Sequence, residues 1–323
     1  MKKLQLGIAL AFSAGVCWGI MGVAAQYLFE SFSFTPEGLV SLRLAVAGAV
    51  ILAVQAIFTR KSVIRPLLDR QNLRDILVYA AMSALMQYTF FLSIDLSNAG
   101  TAAVLSGSVP VFLLLWQVSR ERRLPRFMEL FSLGLACTGI VLLVTGGDLA
   151  SLSFSAMGVL TGLASAIFGT VCTVQPKSVL KRLGPVLVTG WGLLLGGLMM
   201  LAFTPRSAFT AVWTLESVLA CAVVILVGTA FAFMLYLASL ELIPTPAAGL
   251  LACSEPLTAV ILAAMLLGTR FEGAELAGAA CIIACLASRI TISRPDGWIT
   301  ARLPAPSQAG VLATRDPSGR NHQ

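Results

Sequence analysis

Of the 323 residues, 58% are hydrophobic and 11% are charged, with a mean hydropathy of +0.90. Soluble domains carry about 25% charged residues, so no water-soluble fold can cover this much apolar surface, and the solvent for most of the chain is lipid. The net charge is +7, but the basic residues sit in short segments between apolar runs, a pattern of membrane orientation that argues against nucleic-acid binding.

A crossing helix needs about 20 apolar residues. In chain order the sequence predicts ten spans, at about 5–27, 36–58, 75–94, 98–118, 127–145, 155–175, 184–203, 213–237, 245–267 and 272–292. A polar tail, 293–323, rich in Pro, Ser, Gly and Arg, is expected to be disordered and cytoplasmic. Span 1 has a basic start and small residues at Val23-Ala24-Ala25, as a signal peptide would. Its counterpart in the second half, described below, argues that it is retained.

With the N-terminus placed inside, all but Arg43, Arg206 and Arg270 of the 22 Lys and Arg fall on the cytoplasmic side. The positive-inside rule therefore predicts a multi-pass protein of a bacterial-type inner membrane with both termini cytoplasmic. The single histidine, His322, lies at the very end of the chain, which argues against a His-based metal site or a Ser-His-Asp triad in the body. Cys17, Cys137, Cys172, Cys221, Cys253, Cys281 and Cys285 all lie inside apolar spans, form no CxxC pair and occupy no external loop. They read as small buried hydrophobes. No cofactor and no metal is expected.

The chain also resembles itself. At a shift of 146 positions Ser93, Leu96, Ala102, Leu105, Ser108 and Pro110 meet Ser239, Leu242, Ala248, Leu251, Ser254 and Pro256, and Asp95 meets Glu241. At a shift of 150, Trp18-Gly19 meets Phe168-Gly169. Each half then holds five spans, and an odd number inverts the second copy. The expected architecture is all-α, two inverted five-helix repeats at 1–146 and 147–292. Inverted repeats are common in secondary transporters, whose sites lie near the midplane between the copies.

Ionisable groups inside a bilayer cost roughly 2.5–3.5 kcal/mol on insertion scales and face a cavity or a partner. Two stand out. Arg43 lies about two turns in from the outer end of span 2. It is a candidate site residue, with pairing to Glu37 or snorkelling to the outer surface as the structural alternative. Glu255 lies ten residues into span 9, about 15 Å by helical rise, and is a candidate for substrate or proton binding. Its alternative is a satisfied acceptor tying two helices. Its repeat counterpart is Val109, so the scaffold does not require a carboxylate there. Pro110 and Pro256 are candidate helix kinks. Trp18, Gln87, Tyr88, Ser108, Trp191 and Tyr236 are further candidates for a cavity lining. So are Gln26, Ser106, Thr161, Ser165, Gln175 and Thr229, though helix-packing glue explains any one of these equally well.

These motifs together resemble the EamA-type transporters of the drug/metabolite transporter superfamily. The resemblance runs to about residue 292. It is carried by Trp18-Gly19, Leu42-Arg43-Leu44, the Pro110 region, Leu226-Val227-Gly228-Thr229-Ala230, Ser254-Glu255-Pro256-Leu257, Leu266-Leu267-Gly268-Thr269-Arg270-Phe271 and Gly278. The family commonly has Glu thirteen residues after the Pro of span 4 or 9, where this chain has Arg123 and Thr269. The resemblance implies a ten-helix alternating-access carrier, often an exporter of amino acids or related metabolites. Its partners would be a small-molecule substrate, membrane lipid and protons as a candidate coupling ion, with the state open between monomer and homodimer. A drug or xenobiotic efflux pump is the alternative within transport. An intramembrane enzyme is disfavoured: Gly146-Gly147-Asp148 is half of an aspartyl-protease signature, without a second intramembrane Asp.

Overall fold

A computed structural model describes residues 2–59, 62–122, 124, 127–145, 155–243, 248, 251–252 and 254–292. The expectations for Asp148, Arg123, Cys253 and the tail 293–323 lie outside these residues. Among the described residues the chain is helical with no strand. This follows from the solvent, since lipid offers backbone groups no partners and a helix satisfies its own.

The helices are α1 (Lys2–Phe32), α2 (Pro36–Thr59), α3 (Arg70–Leu96), α4 (Ala99–Ser106), α5 (Val109–Glu121), α6 (Phe127–Thr145), α7 (Ala156–Val174), α8 (Lys177–Leu183), α9 (Pro185–Phe203), α10 (Leu215–Ala222), α11 (Ala232–Leu240), α12 (Ser254–Leu266) and α13 (Gly273–Ile292). A π-helical stretch, Val223–Phe231, joins α10 to α11. Among the described residues seven stretches are long and apolar enough to cross a membrane: Lys3–Phe32, Pro36–Thr59, Arg70–Leu96, Ala99–Arg120, Ala156–Val174, Pro185–Phe203 and Leu215–Leu240. Ser254–Leu266 is apolar but shorter.

Boundaries differ from the sequence expectation where capping decides them. α3 starts at Arg70 rather than near 75 because Asp69 Oδ1 accepts from Gln71 N at 2.7 Å and Asn72 N at 3.1 Å, satisfying two orphan donors of the first turn. α1 continues past residue 27 to Phe32, and Ser33, at φ 55, stops it in a left-handed conformation. Span 4 is two helices separated by a turn at Gly107-Ser108. Pro110 falls in the first turn of α5, where a missing N–H costs nothing. Pro256 holds the corresponding place in α12.

α2 packs along α9, α3 against α7 and α9, α1 against α12, α11 and the π-helical stretch, and α6 against α13. The main core gathers Leu28, Leu39, Leu44, Phe91 and Leu193. Phe12, Leu160, Phe203 and Met265 are exposed on the outside, as a surface facing acyl chains permits.

Candidate functional site

A cavity of about 210 Å³ opens among the helices. It is lined by Trp18 and Met21 from α1, Arg43 from α2, Met86, Gln87 and Phe90 from α3, and Ser106 from α4. Ser165 from α7, Gly228 from the π-helical stretch, Phe233 from α11 and Glu255 from α12 complete it.

Arg43 is fully buried. Its Nη2 donates to Gln87 Oε1 at 2.5 Å and its Nη1 to Thr229 Oγ1 at 3.4 Å, beside Met21 Sδ. The guanidinium carbon lies 4.3 Å from the centre of the Phe91 ring, a cation–π arrangement. Nε has no acceptor. The alternative of a Glu37 pair or a reach to the outer surface is therefore not what the fold adopts. Arg43 turns inward, toward α3 and the π-helical stretch, and its charge is solvated by neutral groups. The hydroxyl of Thr229 donates in turn to Val224 O at 2.9 Å, five residues back, a span matching the wider π-helical turn.

Glu255 sits in the first turn of α12, its N–H donating to Ala252 O at 2.9 Å. The turn is seated against α1 by glycine. A Cβ at Gly19 would lie 2.6 Å from Thr258 Cβ and 2.7 Å from Glu255 O, so only glycine allows this approach. In the same turn, Ser254 Oγ donates to Phe12 O at 2.9 Å. Arg43 and Glu255 share the cavity without an ion pair between them.

Trp18 stacks edge-on against Phe233 at 5.6 Å and tilted against Tyr236 at 5.3 Å, which makes an aromatic wall with Tyr236 behind it. Ser165 Oγ donates to Met86 O at 3.0 Å, so Ser106 is the donor in the 3.1 Å contact between the two serines. Other candidates lie elsewhere. Tyr88 packs on the main core, about 100° round the helix from Gln87. Ser108 is fully buried in the turn before α5, its Oγ without an acceptor. Trp191 donates from Nε1 to Val63 O at 2.9 Å and packs beside Ile76, Val179 and Val188. Pro256 is buried in α12, and the side chain of Pro110 lies outside the described residues. Gln26 bridges Glu30, Thr269 and Ala99 N. Gln175 donates to Asp75 O at 3.2 Å and Thr161 to carbonyls of its own helix. Gln26 and Gln175 tie separate elements together, while Thr161 bonds back within α7.

Met21, Met86, Phe90, Phe233 and Gly228 line the cavity without having been singled out in the sequence. Apolar residues in apolar spans carry no signal of which face they occupy. Gly228 alone had one, as part of the Leu226–Ala230 motif.

The EamA-like transporter family matches this chain twice, at residues 5–145 and 156–288. An uncharacterized inner membrane transporter of Salmonella typhimurium (strain LT2), YicL, is 32% identical over 272 residues, 84% of this chain and 90% of that protein. A protein of known crystal structure superposes with a TM-score of 0.59 at 17% identity, over 89% of this chain and 97% of its own, a likeness of fold alone. The family match covers most of the described residues in both halves and points to transport rather than catalysis: the chain belongs to the EamA-like transporter family.

Proposed function

We propose that this chain is a secondary transporter of ten membrane helices, two inverted five-helix repeats at 1–146 and 147–292, exporting amino acids or related small metabolites by alternating access. It resides in the inner membrane with both termini cytoplasmic, as the positive-inside distribution and the name of the Salmonella relative support. The observation that carries the reading is the cavity, where one buried cation and one carboxylate meet an aromatic wall between elements of both halves.

The packing supports the repeat. Exchanging the halves maps α1 onto α7, α2 onto α9, α3 onto α10–α11, α4–α5 onto α12, and α6 onto α13. The pairs α2–α9 and α6–α13 are then their own counterparts. The packing of α1 on α12 answers that of α7 on α4 and α5, and the packing of α1 on α11 answers that of α7 on α3. Close approaches repeat as well. Gly7 meets Leu242 as Gly158 meets Leu96, and Gly19 meets the turn of Glu255 as Gly169 meets Val109.

A xenobiotic pump is the second reading, favoured by the carboxylate beside Trp18, Phe90 and Phe233. The size of the cavity favours the first reading. Sites for drug-sized ligands occupy about 300–1,000 Å³, and this cavity holds about 210 Å³. The test is uptake of labelled metabolites and of cationic drugs into proteoliposomes, with and without a pH gradient. Movement of drugs but of no metabolite would replace the first reading with the second.

A further inference from the structure

Arg43 occupies a peculiar electrostatic position. It is 0% exposed, yet among the described residues no carboxylate lies within 4.0 Å of it, and such a pair joins Arg182 to Asp75 instead. Its partners are an amide oxygen, a hydroxyl, a thioether and a ring face, all neutral. Neutral groups solvate a cation without cancelling its charge, and a buried charge with no direct ion-pair partner is a costly arrangement. The guanidinium has more N–H donors than these acceptors use, and Nε has none. A role confined to tying α2 to α3 and to the π-helical stretch would use the donors that are already satisfied. It would not call for a full charge bordering a cavity.

Among the described residues the other charge on the wall is Glu255. Between them Trp18, Met21, Met86, Phe90 and Phe233 present apolar surface. The cavity is thus neutral in sum and dipolar in arrangement. Building on the transporter reading above, we propose that Arg43 receives the carboxylate of the transported solute and Glu255 its positively charged group, so that the carrier selects small zwitterions with an apolar body. A zwitterion leaves the cavity's net charge at zero. A lone carboxylate or a lone amine would leave it charged at the depth of the bilayer where charge is most costly. Gln87, holding one edge of the guanidinium, acts as a positioning residue that leaves the rest of the fork for the solute.

The test is ligand binding to the purified full-length protein, read by equilibrium binding and by thermal unfolding. The probes are the proteinogenic amino acids and, for each that binds, its decarboxylated amine, its amide and its deaminated acid. The expected binders are amino acids with large apolar side chains. Each analogue should bind at least about 100-fold more weakly, because a site built to pair a polar group rejects the ligand that lacks it. Arg43→Lys keeps the charge but loses the planar fork, and should weaken the amino acid about 10-fold or more while leaving the amine analogue unchanged. Analogues that bind within about threefold of the parent amino acid would overturn the assignment even if Arg43→Lys fails to fold, since they are measured on the wild-type protein; transport of the same solutes would then leave the transporter reading standing. Binding of cationic drugs but of no amino acid would overturn the assignment and pass the function to the efflux reading. Failure to bind or move any probe would remove both.

Discussion

Arg182 on α8 donates from Nη2 to Asp75 Oδ2 at 2.7 Å and from Nε to Asn72 Oδ1 at 2.9 Å, fastening the segment after α7 to the first turns of α3. A related tie joins the end of α1 to the first turn of α10, where Tyr27 Oη donates to Glu216 Oε1 at 2.5 Å. In the repeat proposed above, the two ties are counterparts at opposite faces of the membrane. Arg182 is 35% exposed and Asp75 24%, and exposed pairs contribute about 0–1 kcal/mol. Asp75→Asn should therefore lower unfolding stability by less than about 1 kcal/mol but free the end of α7. Faster maleimide labelling of Cys172, followed by peptide mass spectrometry, is the expected readout, with Tyr27→Phe leaving that rate unchanged. Equal labelling in both variants would remove the latch.

Gly19 and Gly169 are proposed repeat counterparts set against different neighbours. A methyl at Gly19 meets the backbone of Glu255 and the Cβ of Thr258, at 2.7 and 2.6 Å. A methyl at Gly169 meets the end of the Val109 side chain at 2.9 Å and Met86 Sδ at 3.3 Å, atoms that can move aside. Overpacking against fixed atoms costs about 1–3 kcal/mol. Gly19→Ala should therefore lower thermal stability in detergent by about that amount, and Gly169→Ala by clearly less. The reverse order would show that α1 and α12 do not pack as described.

Glu255→Gln preserves the shape of the side chain and removes its charge and its proton. If Glu255 binds the substrate or carries the coupling proton, export should fall at least about 10-fold, the loss of one charge-assisted contact of about 1.4 kcal/mol. If it carries the coupling proton, any residual flux should also no longer respond to an imposed pH gradient. Proteoliposome flux across a range of pH checks this, alongside a folding control by gel filtration. Unchanged affinity and pH response in well-folded protein would leave Glu255 only an architectural role.

Reporter fusions after Arg65, Arg122 and Arg182 should read cytoplasmic, and fusions near Asp148 and Arg206 external. The charge asymmetry of the loops drives this expectation. A cytoplasmic reading at Asp148 would break the ten-helix arrangement and the inversion with it.

Much of the fold was legible because lipid imposes a simple grammar. Helix after helix begins within a few residues of where an apolar run does, and the larger displacements trace to local devices such as Asp69 capping α3. The site was less legible. Glu255, Arg43, Trp18 and Gln87 carry charge, hydrogen bonds or a large ring into apolar spans, so each stands out, and all four line the cavity. Trp191 stood out for the same reason and lies elsewhere, because a Trp is equally suited to closing a helix interface through its N–H to Val63 O. Met86 and Phe233 could not be found, since nothing in an unbroken apolar run marks which face meets a cavity and which meets acyl chains.

By itself the sequence determined the solvent, the helical class, the repeat signal and the rarity of charge within the spans. All of these follow from local composition and from the cost of unpaired polar groups in lipid. Only the tertiary structure decided that Arg43 turns inward to Gln87 and Phe91 rather than outward to the surface, and that Glu255 shares its cavity without touching it. Those outcomes depend on how α2, α3 and α12 are rotated about their own axes. That rotation is set by close packing at positions such as Gly19 and Gly48, which bring helices from distant parts of the chain within van der Waals reach.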